Sequence, residues 1–315
     1  MRRELVWASM VLMLALSAEW SYADSENILL YRAGTGEGIV GQLQGDKLKK
    51  LRQYGPGEFA QWTDIVVSKL PHELLFYNRP NGVWTIGELD HGKFVTKQDA
   101  RADFSKGWTS FVRIPTVSTF FYNRVSGEAV LGYAPTIKTY KPGELLSGWT
   151  HVVANRSGML FYNAQNGAGA VAIYTGQIGF GSGPTAIKTV ADYAPGKFSS
   201  GWTHLVATPT EFLFYNSADG SGAIGRFVGN GDDLRFETTQ NLAKGSFSSH
   251  WSDVVATPEG NTIVFYQEAT GLAALGELSN GQFKTTRQFA KDEFGAGWTH
   301  VATTGPNSQP QPPIR

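Results

Sequence analysis

There is no cysteine among the 315 residues of this chain. That excludes disulfides, thiolate metal centres and cysteine nucleophiles. Neither sign of charge is in excess, since 27 Lys and Arg balance 27 Asp and Glu. The balance argues against nucleic acid or an anionic membrane as the main partner. No apolar run reaches the ~20 residues that a membrane-spanning helix needs. The longest, Leu5 to Ala18, has 14 residues. It follows Arg2 and Arg3 and precedes Ser21-Tyr22-Ala23, with a small residue at both cleavage-determining positions. Residues 1–23 therefore read as a signal peptide, and the chain is expected to be secreted or periplasmic, without a membrane span. A chain with no disulfide needs a large core instead, and the remaining length is sufficient to bury one.

What is abundant is repetition. An aliphatic-aromatic phrase, plainest at Leu213-Phe214-Tyr215-Asn216, is followed by a Gly hairpin and then by Trp251-Ser252-Asp253-Val254-Val255-Ala256. The phrase tyrosines are Tyr31, Tyr77, Tyr122, Tyr162, Tyr215 and Tyr266, and the tryptophans are Trp62, Trp108, Trp149, Trp202, Trp251 and Trp298. Their spacings run from 40 to 53 residues. A period of ~40–50 residues is the size of one four-stranded propeller blade. The expected fold is all-β, a six-bladed β-propeller over residues 24–304.

One unit can be read strand by strand. Trp202 to Ala207 is β-branched and apolar, and Thr208-Pro209-Thr210 breaks it because proline cannot donate to a central ladder. Phe212 to Asn216 forms the second strand, Gly222 to Val228 the third, and Leu234 to Gln240 the most polar, an outer edge. Phe59, Phe104, Leu145, Phe198, Phe247 and Phe294 stand three or four residues before their tryptophans. The chain enters the repeat at a second strand, Ile28 to Tyr31, and leaves it on a lone first strand, Trp298 to Ala302. Pairing these two would complete one blade from both ends of the chain and close the ring. Residues 305–315 are rich in proline and polar residues and read as a disordered tail.

These W-T-x-V-V, L-L-F-Y-N and G-x-G-x-I-G units resemble those of secreted propellers of the tachylectin-like and FG-GAP (VCBS)-like kind, from Ile28 to Thr304. The resemblance implies a propeller; tachylectin-type members bind amino-sugars. The D-x-D-x-D-G calcium loop of FG-GAP repeats occurs in no unit, so neither a metal nor another cofactor is expected.

Several motifs admit two readings. Gly36 to Gly41 and Gly220 to Gly225 spell G-x-G-x-x-G. They lie between two strands rather than between strand and helix, which makes them hairpin glycines and not a nucleotide site. The third position of the tryptophan strand is Asp64, Ser110, His151, His204, Asp253 and His300. This polar ring is either a ligand set or a series of blade-locking hydrogen bonds. Its mixed composition makes no consistent metal shell, which favours the second. The six tryptophans are either sugar platforms or core. Trp84 stands where the sister units have Gly38, Ala129, Gly169, Gly222 and Ala273. An indole there is either locally compensated or exposed, and exposure would make it the foremost ligand platform, with His91 on the same surface. Insertions at Gly176 to Pro184 and Gly229 to Asp233 lengthen two loops.

No G-x-S-x-G turn precedes a helix, the S-x-D-x-G pattern fails at Ser221, and three of the six histidines belong to the repeat. No catalytic constellation results. The expected function is a non-catalytic, multivalent carbohydrate-binding module. Stacking would come from aromatics, and hydrogen bonds from the hairpin amides Asn78, Asn123, Asn163 and Asn216. The alternatives are a protein-binding or adhesion propeller, and a hydrolase with its site at the channel mouth.

Overall fold

The computed structural model describes residues 26–44, 47–101, 105–115, 118–132, 138–176 and 186–305. The expected signal peptide, the insertion at Gly176 to Pro184 beyond its first residue, Phe104 and the tail beyond residue 305 lie outside the described residues.

The repeat folds into six four-stranded antiparallel sheets. Blade one joins Glu26–Arg32, Glu37–Gln44 and Lys47–Tyr54 to His300–Thr304, the last strand of the chain. The register runs from Asn27 opposite Thr304 to Tyr31 opposite His300, antiparallel as expected. The inner strands of blades two to six are Asp64–Val67, Ser110–Ile114, His151–Ala154, His204–Ala207 and Asp253–Ala256. Each touches the next, and Asp253–Ala256 touches His300–Thr304, so the cycle closes around a central axis.

The second strands are apolar throughout because both their faces are buried. In blade one, Leu29 and Tyr31 pack into the cluster shared with blade two. Ile28 and Leu30 point the other way, into the cluster shared with blade six. Period-two alternation thus sends each half of the strand to a different neighbour. The core lies between blades, one cluster at each interface.

Strand limits shift by a residue or two from expectation. In blade five the strands are His204–Ala207, Glu211–Tyr215, Gly222–Val228 and Arg235–Leu242. The inner strand starts after Trp202 because that residue bonds to the previous blade instead: its amide donates to the Tyr162 hydroxyl at 3.4 Å. The same phenol donates to the Ser199 carbonyl at 2.8 Å. Every phrase tyrosine makes the equivalent bond to the loop that enters the next blade, at 2.7 to 2.8 Å. Burial raises the pKa of these phenols, and pushes those of Tyr122, Tyr162 and Tyr266 up to about 12. They stay protonated and keep donating. At the closure, Arg32 adds bonds to the carbonyls of Gly297 and Ala296 at 2.9 and 3.1 Å and lies over the Trp298 ring.

The hairpin glycines are structural, as expected. Gly36, Gly167 and Gly220 have φ of 68°, 69° and 67°. A Cβ on any of them would meet the carbonyl oxygen of Phe59, Phe198 or Phe247 within 2.1 Å.

Candidate functional site

The tryptophan strand organises both ends of the channel. Its second residue, Thr63, Thr109, Thr150, Thr203, Ser252 or Thr299, accepts a hairpin N–H at 2.8 to 2.9 Å. The third residue begins the inner strand, so Asp64, Ser110, His151, His204, Asp253 and His300 form a rim at one channel end. The three histidines bridge neighbouring blades. Nε2 of His151, His204 and His300 stands 3.0, 3.0 and 2.9 Å from the carbonyl oxygens of Thr203, Ser252 and Thr63. A carbonyl only accepts, so Nε2 carries the hydrogen. Nδ1 of each ring lies 2.9 Å from the preceding threonine hydroxyl and accepts from it. Burial pushes the pKa of His151 and His204 down, against the opposing pull of the carbonyl each one faces. Asp64 pairs with Arg79 and accepts from the Thr63 hydroxyl at 2.6 Å. Burial raises the Asp253 carboxyl, opposed by the Ser252 hydroxyl that donates to it at 2.9 Å. The three histidines therefore lock neighbouring blades, whereas Asp64 is held by residues of its own blade.

The hairpin asparagines crowd the same face. Oδ1 of Asn123, Asn163 and Asn216 accepts the N–H of Val125, Gln165 and Ala218 at 2.9 Å. Asn78 donates to the Gln61 carbonyl at 2.8 Å. The first three carboxamides stabilise their own turns, and that of Asn78 ties its hairpin to the segment before Trp62. His250 departs from the repeat here. It has φ of 67°, at the position where Gly107, Gly148, Gly201 and Gly297 adopt 81° to 90°.

The expectation of an exposed Trp84 is overturned. Its exposure is 2%. It packs with Tyr77, Ile86, Trp108, Phe121 and Val130 between blades two and three. The alignment with the sister positions holds, since Trp84 faces Tyr77 as Gly38 faces Tyr31 and Gly222 faces Tyr215. A Cβ on Gly38, Gly169 or Gly222 would meet the ring of Phe59, Phe198 or Phe247 at 2.5 to 2.8 Å. In blade two the indole fills that interblade space with its own ring. Trp84 is core, and no ligand stacks on it in this fold. Nor does His91 share its surface. Trp84 and His91 stand at opposite ends of Val83–Asp90, roughly 20 Å apart at the ~3.3 Å rise of a strand. His91 is 91% exposed on an outer hairpin and pairs with Asp90. Of the repeat tryptophans, Trp202 is half-buried and the other five are buried.

Along the axis lies a cavity of about 370 Å³. Its wall is mostly aliphatic, with Val66, Val153, Val206 and Val255 among its lining, and Arg113 is its one Lys, Arg, Asp or Glu residue among the described residues. Arg113 occupies the inner-strand position that holds Val67, Ala154, Ala207, Ala256 and Thr303 in the other blades. Its side chain is 9% exposed. Nη1 donates to the Pro258 carbonyl at 3.1 Å, and Nη2 bonds to Glu259. Blades three and six are opposite in the ring, so this side chain crosses the axis. Arg156 of blade four meets the other Glu259 oxygen at 2.9 Å. Burial raises the Glu259 carboxyl, but the two guanidinium groups outweigh it and hold it below the usual range. This cluster was not among the expected site residues. Its signal lay in one charged residue at a position that is otherwise small or aliphatic.

No family model matches the chain, and neither does any curated protein. Solved structures share its fold. A Lactobacillus plantarum protein is 14% identical, with a TM-score of 0.53 over 90% of this chain and 86% of that one. A Bacteroides fragilis protein named for 6-phosphogluconolactonase activity is 9% identical, with a TM-score of 0.55 over 90% of this chain and 99% of that one. A chain of a nidogen/laminin complex is 10% identical, with a TM-score of 0.52 over 89% and 98%. At these identities the likeness defines a class, the six-bladed β-propeller, and nothing narrower. The tachylectin-like and FG-GAP-like resemblance rests on the repeat alone.

Proposed function

We propose that this chain is an exported, non-catalytic binding module whose ligand site is the central channel. The observation that carries the reading is the aliphatic cavity on the axis, with one cation in its wall among the described residues. Rigid concave sites with apolar walls and few polar groups are typical of small-ligand binding. The non-catalytic part of the reading rests on the sequence, in which no catalytic constellation is legible.

A carbohydrate ligand is the second reading. It is supported by the six hairpins on one face, because a weak site on one would recur on the others and gain avidity. The tryptophan faces contribute little to it, since five of the six are buried.

Native mass spectrometry of the full chain against small amphiphiles tests the channel. One bound molecule per chain is expected, lost when Ala207→Phe fills the wall. Binding that survives Ala207→Phe places the ligand elsewhere. A glycan array run with and without calcium tests the second reading, and selective binding with several glycans per chain would establish it.

A further inference from the structure

The charged end of the channel has a composition that structural locking alone does not require. A mostly buried arginine in a wall of valine and alanine is unfavourable unless its charge is matched. Two guanidinium groups, Arg113 and Arg156, converge on one carboxylate, Glu259. The cluster therefore carries one positive charge more than its carboxylate, with Arg156 62% exposed and Arg113, its more buried member, lining the cavity. Glu259 is 36% exposed and stands on the turn after Asp253–Ala256, so it can swing outward without breaking a strand. Its carboxylate marks where an anion of that size sits.

Resting on the channel reading above, we infer that the channel binds a monocarboxylate with an apolar chain, its carboxylate displacing Glu259 on Arg113 and Arg156. The aliphatic wall takes the chain of the ligand. The planar fork of Arg113 suits a carboxylate better than a point cation would, because two N–H groups meet two oxygens. Glu259 acts as a tethered competitor. It covers the guanidinium groups in the empty protein, and its high effective concentration raises the ligand concentration needed for binding. Only a molecule that supplies both the anion and the apolar body outcompetes it.

Isothermal titration calorimetry of the full chain, with octanoate, octan-1-ol and acetate as probes, tests this. Octanoate should bind once per chain, with octan-1-ol and acetate each weaker by at least about tenfold, the value of one charge-assisted contact. Glu259→Gln should tighten octanoate by on the order of tenfold by removing the competitor, whereas a purely structural ion pair would give no gain. Arg113→Gln should weaken it by more than about tenfold. Should that variant fail to fold, exposed Arg156→Ala gives a smaller loss. Octan-1-ol binding as tightly as octanoate, with both blocked by Ala207→Phe, would leave the channel standing and overturn the anchor. Binding of neither probe overturns the channel reading itself. Octanoate affinity indifferent to Glu259→Gln and Arg113→Gln also refutes the anchor.

Discussion

Tyr266 donates its phenol hydrogen to the Gly295 carbonyl at 2.8 Å, and the Trp298 amide donates to the same phenol oxygen at 3.2 Å. One side chain of blade six thus holds the segment that becomes the inner strand of blade one. Tyr266→Phe removes both bonds and leaves two backbone groups without this partner. The expected loss is about 1–3 kcal/mol by chemical denaturation. Tyr31→Phe, at an equivalent interface, should lose a similar amount. A neutral Tyr266→Phe would show that the bolt is dispensable.

Ending the chain before Trp298 removes the strand paired with Glu26–Arg32 and the Trp298 and Val301 contributions to the blade-six interface. The truncated protein should lose cooperative unfolding and bind a hydrophobic dye. Stability equal to that of the full chain would refute closure by the last strand.

Trp84→Ala opens a void between blades two and three and should cost about 3–5 kcal/mol. Ligand affinity of the folded protein should be unchanged, because the indole is not on a surface. A variant of full stability with lost binding would restore Trp84 as a site residue.

His250 holds a left-handed backbone where four sister blades use glycine. His250→Gly relieves that strain, of order 1 kcal/mol, against the extra unfolded-state freedom of glycine. A small rise in Tm is expected. A fall would mean that the imidazole makes a contribution larger than the strain.

His151 and His204 titrate below their unfolded values because burial disfavours the imidazolium. The unfolded chain then binds more protons than the folded one below a pH of about 6.5. Their contribution to stability is complete above that pH and declines as pH falls towards the depressed folded values. The double variant His151→Gln with His204→Gln should show a flatter dependence of Tm on pH between about 7 and 5. An unchanged slope would assign the dependence to other groups.

Much of the fold was legible in the chain because a blade is a local object. Tyr31 to Tyr266 and Trp62 to Trp298 recur at the spacing of one blade, and the strands between them pair with sequence neighbours. The orphan first and last strands announced the closure. For the three rim histidines the blade-locking alternative was legible too, since they stand at one repeated position.

Burial at a blade interface is a different kind of property. Periodicity placed Trp84 correctly opposite Tyr77, yet whether an indole fits there depends on how much room the neighbouring blade leaves. Only the packed ring decides that. Arg113 and Glu259 lie 146 residues apart and meet because opposite blades of a closed ring face one axis. The sequence alone determined the number of blades, their strand order and their closure, through short-range pairing and alternation. Tertiary structure alone decided which side chains converge in the channel, because that requires all six blades to be in place at once.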